Sequence, residues 1–266
     1  MSDLHEITQK VLADYRKLIS AIFQETQVDV ISYDQADQLN LASMIDHTLL
    51  KQDAVPAQIS KLCQEALQYQ FATVCVNPTN IKQCAEILRG SEVKVCSVVG
   101  FPLGANLPSV KKYEAARLIA EGAQELDMVL NIGALKSGNI QLVLEDILGV
   151  VSESHAQGVL VKVIIETALL TQEEKVLAAL CVKEAGADFV KTSTGFASGG
   201  ATVEDIRLLR RIAGNTLKVK AAGGIRTRQD AISMVMAGAT RIGASAGVQI
   251  IQKDQPAVNQ QTEKTY

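Results

Sequence analysis

The sequence predicts an α/β protein, a (β/α)₈ barrel of the TIM type that carries an extra helix at its N-terminus. From residue 41 onward, eight short apolar segments alternate with amphipathic or alanine-rich segments, which is typical of a parallel sheet with crossover helices. Six of the helical segments are followed by glycine, the residue that most often ends a helix. No G-x-G-x-x-G follows the first apolar segment, so an open doubly wound sheet is the less favoured alternative.

The alternating units together have the length of one barrel, typically about 250 residues. Strands are predicted over residues 42–45, 71–76, 93–99, 126–131, 159–166, 189–192, 218–222 and 241–243. Helices between them are predicted over residues 56–69, 78–89, 108–121, 140–156, 172–185, 203–213 and 228–237. Residues at the carboxyl ends of these strands are then expected at the mouth of the barrel, where barrel enzymes carry their active sites.

The segment before the barrel predicts one amphipathic helix over residues 3–25. Its apolar residues recur at helical spacing, at Ile7, Val11, Tyr15, Leu18 and Ile22. We expect this helix to pack on the barrel or on a second subunit, and the polar stretch 33–40 to be a linker. The predicted organisation is an N-terminal helical extension over 1–38, the barrel over 39–251 and a polar C-terminal tail over 252–266.

The composition restricts the class of protein. The chain is 47% hydrophobic and 21% charged, with a formal net charge of −3 and no basic block, so nucleic acid is not an expected partner. No apolar run approaches the roughly 18 residues of a membrane span, and the first residues do not resemble a signal peptide. The five cysteines are odd in number and form no C-x-x-C pair, which favours reduced thiols and a cytoplasmic protein.

Four successive predicted strands carry a charged residue within or beside an apolar run. These residues are Asp127, Lys162, Lys191 and Lys220, separated by 35, 29 and 29 residues, or one strand–helix unit each time. Neighbouring strands lie about 4.8 Å apart, so side chains turned into the barrel from these strands would meet. Side chains turned outward would instead be scattered beneath the helices, and a purely structural ion network is the competing interpretation.

Lys191 lies in the segment that we take as the centre of the site, Asp188-Phe-Val-Lys-Thr-Ser-Thr-Gly195. A lysine attacks a carbonyl only as the free amine, and the ordinary pKa of a lysine is about 10.4. A second ammonium nearby and partial desolvation favour the free amine, and Lys220 on the next strand fits this need. A carboxylate within reach can move protons during the carbinolamine and enamine steps, which is the role expected for Asp127.

Glycine-rich loops after the last two predicted strands indicate a phosphate site. Gly223-Gly224 follows strand seven, and the run from Gly243 through Ser245 to Gly247 follows strand eight. Backbone N–H groups exposed before helices bind phosphate, and barrel enzymes place such sites after strands seven and eight. A lysine amine beside a phosphate cradle predicts a Schiff-base enzyme for a phosphorylated carbonyl compound.

Other chemistries are disfavoured by the sequence. His5, His47 and His155 are scattered without metal-ligand spacing, so no metal site is expected. The chain has no Walker A sequence, no G-x-S-x-G and no H-E-x-x-H. Cys75, at the end of the second predicted strand, either faces the pocket or is a buried core thiol.

A series of ordered motifs spans roughly residues 40–250. The motifs are Ile45-Asp-His-Thr, Cys75-Val-Asn-Pro, Val98-Val-Gly-Phe-Pro-Leu-Gly104, Glu125-Leu-Asp-Met-Val-Leu-Asn-Ile-Gly133, Lys162-Val-Ile-Ile-Glu-Thr, Asp188-Phe-Val-Lys-Thr-Ser-Thr-Gly195, Lys220-Ala-Ala-Gly-Gly-Ile-Arg226 and Arg241-Ile-Gly-Ala-Ser. With them the chain resembles the deoxyribose-phosphate aldolase family of class I aldolases.

The resemblance implies reversible cleavage of 2-deoxy-D-ribose 5-phosphate to D-glyceraldehyde 3-phosphate and acetaldehyde, without a metal or cofactor. Carried over by motif, Lys191 is the Schiff-base lysine, Lys220 favours its free-amine form and takes part in proton transfer, and Asp127 moves protons through water. Phosphate binding falls to Gly195, Gly223, Gly224, Gly243 and Ser245, largely by backbone N–H. The pocket is expected to be lined by Lys162, Thr194 and Cys75.

Some questions stay open beside the resemblance. Phe196 stands where many family members have a polar residue, which is expected to alter phosphate affinity or the tolerance of unphosphorylated donors. Some members fold a C-terminal tyrosine over the site, and Tyr266 is a candidate for that role. A homodimer or higher homo-oligomer is expected by analogy.

Two alternative functions are kept. One is another Schiff-base lyase or transaldolase that acts on a different sugar phosphate. The other is a non-catalytic phosphate-binding barrel that serves as a ligand sensor, although a sensor would not need Asp127, Lys191 and Lys220 together.

Overall fold

The computed structural model describes residues 4–23 and 29–252, and it contains one closed barrel of eight parallel strands. The strands are β1 (Ile45–Leu49), β2 (Thr73–Val76), β3 (Lys94–Val99), β4 (Glu125–Val129), β5 (Leu160–Ile164), β6 (Phe189–Lys191), β7 (Lys218–Ala222) and β8 (Arg241–Ala244). Each strand pairs with the next in chain order, and β8 pairs with β1 to close the sheet. The predicted TIM barrel is confirmed.

Helices surround the barrel and connect its strands. They are α1 (Leu4–Ile22), α2 (Tyr33–Gln38), α3 (Pro56–Tyr69), α4 (Ile81–Ile87), α5 (Pro108–Ala120), α6 (Ile132–Lys136), α7 (Ile140–His155), α8 (Gln172–Glu184), α9 (Val203–Ala213), α10 (Arg228–Met236) and α11 (Gly247–Ile251). The sequence did not predict α6 and α11, which are too short to show a helical repeat. Among the described residues, no helix is both long enough and apolar enough to cross a membrane.

The prediction for the first strand was wrong. Residues Leu41–Met44 form a 3₁₀ helix, in which the Ser43 hydroxyl donates to the Asn40 carbonyl at 2.8 Å, and the strand begins only at Ile45. The strand has polar residues at Asp46 and Thr48, which hid its periodicity. Inward-facing positions of a barrel strand are usually apolar, whereas these two face a polar interior.

The segment before the barrel also differs from its prediction. The stretch 33–40, expected to be a linker, contains α2, which starts with a capping box between Ser32 and Gln35. The N-terminal helix α1 packs on α7 and α8 of the same chain, with Val11 fully buried. The tail prediction for 253–266, including the role considered for Tyr266, lies outside the described residues.

Strand register decides which side chains enter the barrel. Asp127 pairs with Lys162 across β4 and β5, and Lys191 pairs with Lys220 across β6 and β7. Paired residues on neighbouring strands point to the same face, so these side chains share the interior. The alternate positions, such as Val163, point outward and join the apolar core beneath the helices. The alternative in which the charges are scattered under the helices is therefore excluded.

A buried ion pair between two helices, outside the barrel interior, lies beneath the loop that follows β3. Lys111 Nζ on α5 lies 2.5 Å from Asp146 Oδ2 on α7 and donates to the Val129 carbonyl at 2.8 Å. Burial lowers the pKa of Lys111 and raises the pKa of Asp146, and the mutual attraction opposes both changes. The aliphatic part of Lys111 packs so closely on Gly100 (φ 61°) that a Cβ there would lie 2.7 Å from the lysine Cε. The pair thus fixes the loop at one edge of the barrel mouth.

Candidate active site

A cavity of about 320 Å³ opens at the carboxyl ends of β1, β6, β7 and β8. Its size is within the usual range for small-molecule sites. The predicted site residues that line it are Lys191, Thr194, Gly195, Gly223, Gly224, Gly243 and Ser245. The structure therefore brings the candidate lysine and all five candidate phosphate-binding residues around one pocket.

Three predicted residues meet at the floor of this pocket. Lys191 Nζ donates to Asp127 Oδ2 at 2.7 Å, and Lys220 Nζ donates to the same oxygen at 2.6 Å. The two lysine nitrogens can thus be no further apart than the sum of these distances. Lys191 is 3% exposed, whereas Asp127 and Lys220 are fully buried beneath it. Of these three residues, only Lys191, the one predicted to be the nucleophile, lines the pocket.

The charge states of the two groups beside Lys191 follow from their partners. Burial disfavours ionised Asp127, but the attraction of Lys162, Lys191 and Lys220 outweighs it and lowers the pKa of this carboxyl well below its usual range. Burial likewise disfavours charged Lys220, but the carboxylates of Asp127 and Asp46 outweigh it and raise the pKa of Lys220. Asp127 is therefore a carboxylate and Lys220 a fixed ammonium at neutral pH. Lys191 shares its carboxylate oxygen with a permanent positive charge.

Three further charged residues lie deeper in the barrel, and the sequence reasoning missed them as site residues. Asp46 bonds to Lys220 through one oxygen and accepts from Arg241 Nη1 at 2.7 Å through the other. Arg241 Nη1 also donates to Glu125 Oε2 at 2.8 Å. Each of the three stands at the first or second position of its strand, where a charge resembles an ordinary flanking residue. Their spacing could have identified two of them, because residues two positions apart on a strand point to the same side. Glu125 lies two positions before Asp127, and Asp46 lies two positions before Thr48.

Lys162 does not line the pocket, contrary to the prediction. Its Nζ donates to Asp127 Oδ1 at 2.8 Å and lies 2.6 Å from Glu125 Oε2, and the side chain is fully buried. The register explains this depth, because Lys162 pairs with Phe189, two positions before Lys191 on β6. Burial opposes its charge, but the surrounding carboxylates raise the pKa of Lys162.

Cys75 was also predicted to line the pocket, and it does not. The thiol is fully buried in a small apolar cluster with Leu50, Cys96 and Val98. Its sulfur, the sulfur of Cys96 and a carboxylate oxygen of Asp127 lie within 4.8 Å of one another, which makes them a candidate metal-ligand set within the described residues. Both oxygens of Asp127 already accept from ammonium groups, and these positive charges would repel a cation.

The rim of the pocket requires glycine, because two backbone segments approach each other closely there. Gly223 has a φ of 87°, and its carbonyl oxygen would lie 2.3 Å from a Cβ placed on Gly200. Gly243 lies beside the lysine floor, since a Cβ there would be 3.1 Å from Lys220 Cε. Side chains at these positions would fill the pocket or push the loops apart. The bare backbone leaves the amide groups of this rim open to a ligand.

The turn at Thr194, also on the rim, is held by a buried glutamate that the sequence reasoning did not single out. Glu166 Oε2 accepts from the Thr194 backbone N–H at 3.2 Å and from the Thr194 hydroxyl. The same hydroxyl accepts from the Phe196 N–H at 3.0 Å, so one side chain ties the whole turn. Phe196 is 58% exposed and lies edge-on to Phe101, with ring centroids 5.2 Å apart. The pocket thus has a polar floor and an aromatic edge.

Comparison with known proteins identifies the family. Residues 40–253 match the family described as DeoC/LacD family aldolase. The chain belongs to the DeoC/LacD aldolases. A deoxyribose-phosphate aldolase of Geobacillus sp. (strain WCH70) is 58% identical over 213 residues, which cover 80% of this chain and 95% of the relative. Another, from Exiguobacterium sibiricum, is 60% identical over 215 residues, which cover 80% of this chain and 96% of the relative.

Solved structures agree with this membership. The tetrameric deoxyribose phosphate aldolase of Aeropyrum pernix superimposes with a TM-score of 0.76 at 36% identity, covering 82% of this chain and 94% of that chain. The family resemblance read from the sequence motifs is thereby confirmed. The charged barrel interior described above belongs to a DeoC/LacD aldolase, a family of lyases.

Proposed function

We propose that this chain is a class I aldolase that reversibly cleaves 2-deoxy-D-ribose 5-phosphate into D-glyceraldehyde 3-phosphate and acetaldehyde, with Lys191 as the Schiff-base amine. The observation that carries the assignment of Lys191 is its position. Its Nζ opens into the pocket while sharing one oxygen of Asp127 with the permanently charged Lys220. Lys220 contacts two carboxylates, Asp46 and Asp127, whereas Lys191 contacts Asp127 alone, so Lys191 is the less firmly held of the two amines. High identity to deoxyribose-phosphate aldolases supports the substrate.

The first half of the reaction forms the covalent intermediate. The Nζ lone pair of Lys191 attacks the C1 aldehyde of the open-chain sugar, and the carbinolamine loses water to give a protonated imine. Lys220, an ammonium beside the same carboxylate, supplies through a bridging water the proton that the departing hydroxyl needs, and regains a proton from the C3 hydroxyl in the second half. Asp127 holds the two nitrogens in place and stabilises the positive charge of the imine.

The second half breaks the carbon–carbon bond. The C3 hydroxyl gives up its proton, the C2–C3 bond breaks, and the bonding pair moves into the imine to form an enamine while D-glyceraldehyde 3-phosphate leaves. Protonation of the enamine at C2 and hydrolysis of the imine then release acetaldehyde and restore the Lys191 amine. We assign the proton transfers at C3 and C2 to a water held by Asp127 and Lys220, because neither side chain itself lines the pocket.

The phosphate is proposed to bind at the glycine-rich rim of the pocket. Gly195, Gly223, Gly224, Gly243 and Ser245 line this region with little side-chain bulk. Arg226 also lines the pocket and supplies a positive charge that favours a phosphorylated substrate. Phe196 presents an apolar edge instead of a polar group, which supports weaker dependence on the phosphate than in relatives with a polar residue there.

Schiff-base trapping tests this function. The protein is incubated with acetaldehyde or with 2-deoxy-D-ribose 5-phosphate, reduced with borohydride, digested and mapped by mass spectrometry. We expect a single N-ethyl lysine at Lys191 with acetaldehyde. An adduct formed only with other sugar phosphates would move the substrate assignment, and binding of the sugar phosphate without any adduct would indicate a non-catalytic barrel. An adduct on another lysine would overturn the role of Lys191.

The phosphate site is tested by adding one methyl group to its rim. Gly223 has a φ of 87°, and a Cβ there would lie 3.0 Å from the Gly200 Cα, so Gly223→Ala is strained and shifts the loop. We expect the KM for 2-deoxy-D-ribose 5-phosphate to rise by about tenfold, the effect of roughly 1.4 kcal/mol. Turnover of unphosphorylated 2-deoxyribose should change little, because that substrate does not use the phosphate site.

The matched control for this prediction is Gly90→Ala. Gly90 has a similar φ of 81°, but a Cβ there would meet no atom within 4 Å, and the residue does not line the pocket. Gly90→Ala carries the same backbone strain and should leave both KM values unchanged. Equal losses with both substrates in Gly223→Ala would contradict a phosphate site at this rim.

We further propose a cellular location, an oligomeric state, a domain organisation and a class of partner for this enzyme. The five cysteines are free and buried, which supports reduced thiols and a cytoplasmic location. The tetrameric relative supports a homodimer or higher homo-oligomer for this chain. The match over residues 40–253 supports a barrel over 39–251, an N-terminal extension over 1–38 and a tail over 252–266. A net charge of −3 supports small sugar phosphates rather than nucleic acid as the partners.

A further inference from the structure

The charged groups inside the barrel form a closed ring of ion pairs. Starting from Asp127 Oδ2, the contacts run to Lys220, to Asp46, to Arg241, to Glu125, to Lys162 and back to Asp127 Oδ1. Every contact in the ring joins an anion to a cation. Among the described residues, Lys191 is the one further charged group that pairs with the ring, through Asp127 Oδ2. The Cys96 thiol also donates to Asp127 Oδ1 at 3.3 Å.

The charges of the ring balance without Lys191. Three carboxylates alternate with two ammonium groups and one guanidinium, and six side chains of the ring are largely shielded from water. A net charge is costly in such an interior, because the desolvation of an unpaired ion is not compensated. If Lys191 were also charged, Lys191 and the ring together would carry one net positive charge.

Two members of the ring, Glu125 and Arg241, are the first residues of their strands. Glu125 and Arg241 lie at the amino-terminal end of the barrel and do not line the pocket. Glu125 reaches Asp127 through Lys162, and Arg241 reaches it through Asp46 and Lys220. Burial opposes the charge of Arg241, but Asp46 and Glu125 raise its pKa, so it is a permanent cation. These two residues fix the total charge that Lys191 experiences.

We propose that Glu125 and Arg241 are positioning residues that set the protonation state of Lys191 by closing a charge-balanced ring at the far end of the barrel. The inference rests on the proposed role of Lys191 and extends it to two residues that touch neither pocket nor substrate. Glu125 supplies the third negative charge and Arg241 the third positive charge. The loss of either one leaves the ring with a net charge, and the sign of that charge decides the direction of the effect on Lys191.

Other ionisable groups face Lys191 or the ring, and none of them is substituted in the variants compared. They are Cys75 on β2, Cys96 on β3, Lys51 after β1, Glu166 after β5 and Arg226 after β7. Burial and the hydrogen bond with Cys75 raise the pKa of Cys96, which keeps that thiol neutral. The hydrogen bond with Cys96 lowers the pKa of Cys75, and this thiol is present in every variant.

The test is the pH dependence of Schiff-base trapping with acetaldehyde and cyanoborohydride, read as the rate of N-ethylation at Lys191. Acetaldehyde has no ionisable group, so the profile reports the enzyme alone, and its acidic limb follows protonation of the amine. Glu125→Gln leaves the ring with an extra positive charge, which disfavours the ammonium form of Lys191 and moves the acidic limb to lower pH. Arg241→Gln leaves an extra negative charge and moves the limb to higher pH.

Each shift is expected to be on the order of one pH unit, the effect of a unit charge within about 10 Å at an effective dielectric near 20. The double variant Glu125→Gln/Arg241→Gln restores neutrality and should return the limb close to its wild-type position. Arg241→Lys keeps the charge and should leave the limb unmoved. A merely structural role predicts lower rates in every variant but no shifts of opposite sign.

Two controls remove charges at the same end of the barrel but outside the ring. Lys218 is exposed, lies over the Phe189 ring at 5.4 Å as Arg241 does at 5.2 Å, and makes no ion pair with a described residue. Glu92 is exposed just before β3. Lys218→Gln and Glu92→Gln should both keep the wild-type profile.

The outcomes separate this inference from the proposed function. If wild-type protein gives no adduct on Lys191, the proposed function itself fails. If the wild-type adduct forms but both single variants move the acidic limb in the same direction, or neither moves it, only the role of the ring fails. Each single variant is expected to move the acidic limb in its own direction. If one of them does not fold, the other still tests the proposal.

Discussion

Lys191→Met is expected to lower kcat/KM for 2-deoxy-D-ribose 5-phosphate by on the order of 10⁴–10⁶-fold, the range seen when the nucleophile of a covalent enzyme is removed. Methionine keeps the length and the unbranched shape of lysine but has no amine, so neither the carbinolamine nor the imine can form. Borohydride trapping with acetaldehyde should also lose its adduct. Steady-state assays with the coupled detection of D-glyceraldehyde 3-phosphate measure the loss.

A second expectation for Lys191→Met concerns the stability of the fold. Lys191 lies outside the ring of six alternating charges, and its removal leaves that ring balanced. The free energy of unfolding measured in urea should therefore stay within about 1 kcal/mol of wild type, unlike the loss of a buried ion-pair partner, which costs about 3–5 kcal/mol. Lys218→Met, which changes an exposed lysine on β7, is the matched control for activity. Turnover in Lys191→Met near the wild-type rate would contradict the Schiff-base mechanism at this residue.

The sequence predicted the barrel well because most strands and helices keep a clear apolar period. Helices α3 and α9 begin and end where the periodicity places them, and β7 agrees to the residue. The first strand was misplaced because its inward residues, Asp46 and Thr48, are polar. The alternation that defines a strand depends on one apolar face, and a charged interior removes that contrast on the inner side.

The sequence predicted which site residues are neighbours, but not how deep in the barrel each side chain lies. Spacing by one strand–helix unit places Lys191 beside Lys220, and the register confirms this adjacency. How far up the barrel each side chain lies depends on the stagger between strands, which spacing does not encode. For that reason Lys162 was expected in the pocket although it lies one layer below, where its ammonium meets Glu125.

Lys220→Leu is expected to abolish turnover near neutral pH while the fold is retained. Without this ammonium, Asp127 Oδ2 has Lys191 as its only partner, and a carboxylate beside a single amine favours the ammonium form. A lysine with the ordinary pKa of about 10.4 is a free amine in roughly one molecule in 10³ at pH 7. The loss from this cause alone is therefore at most about 10³-fold, and the missing proton donor adds to it.

The pH dependence distinguishes this cause from general damage to the fold. If Lys220 acts by favouring the free amine, the trapping rate in Lys220→Leu should rise about tenfold for each pH unit between 7 and 10, because the amine fraction rises in that proportion. Unfolded or distorted protein would not recover in this way, and circular dichroism at each pH verifies the fold. Loss of a cation from between Asp46 and Asp127 also leaves two buried carboxylates less compensated, so the unfolding free energy should fall by about 3–5 kcal/mol. A flat, wild-type profile would mean that another part of the ring controls Lys191, and the opposite shifts expected for Glu125→Gln and Arg241→Gln would then identify which part.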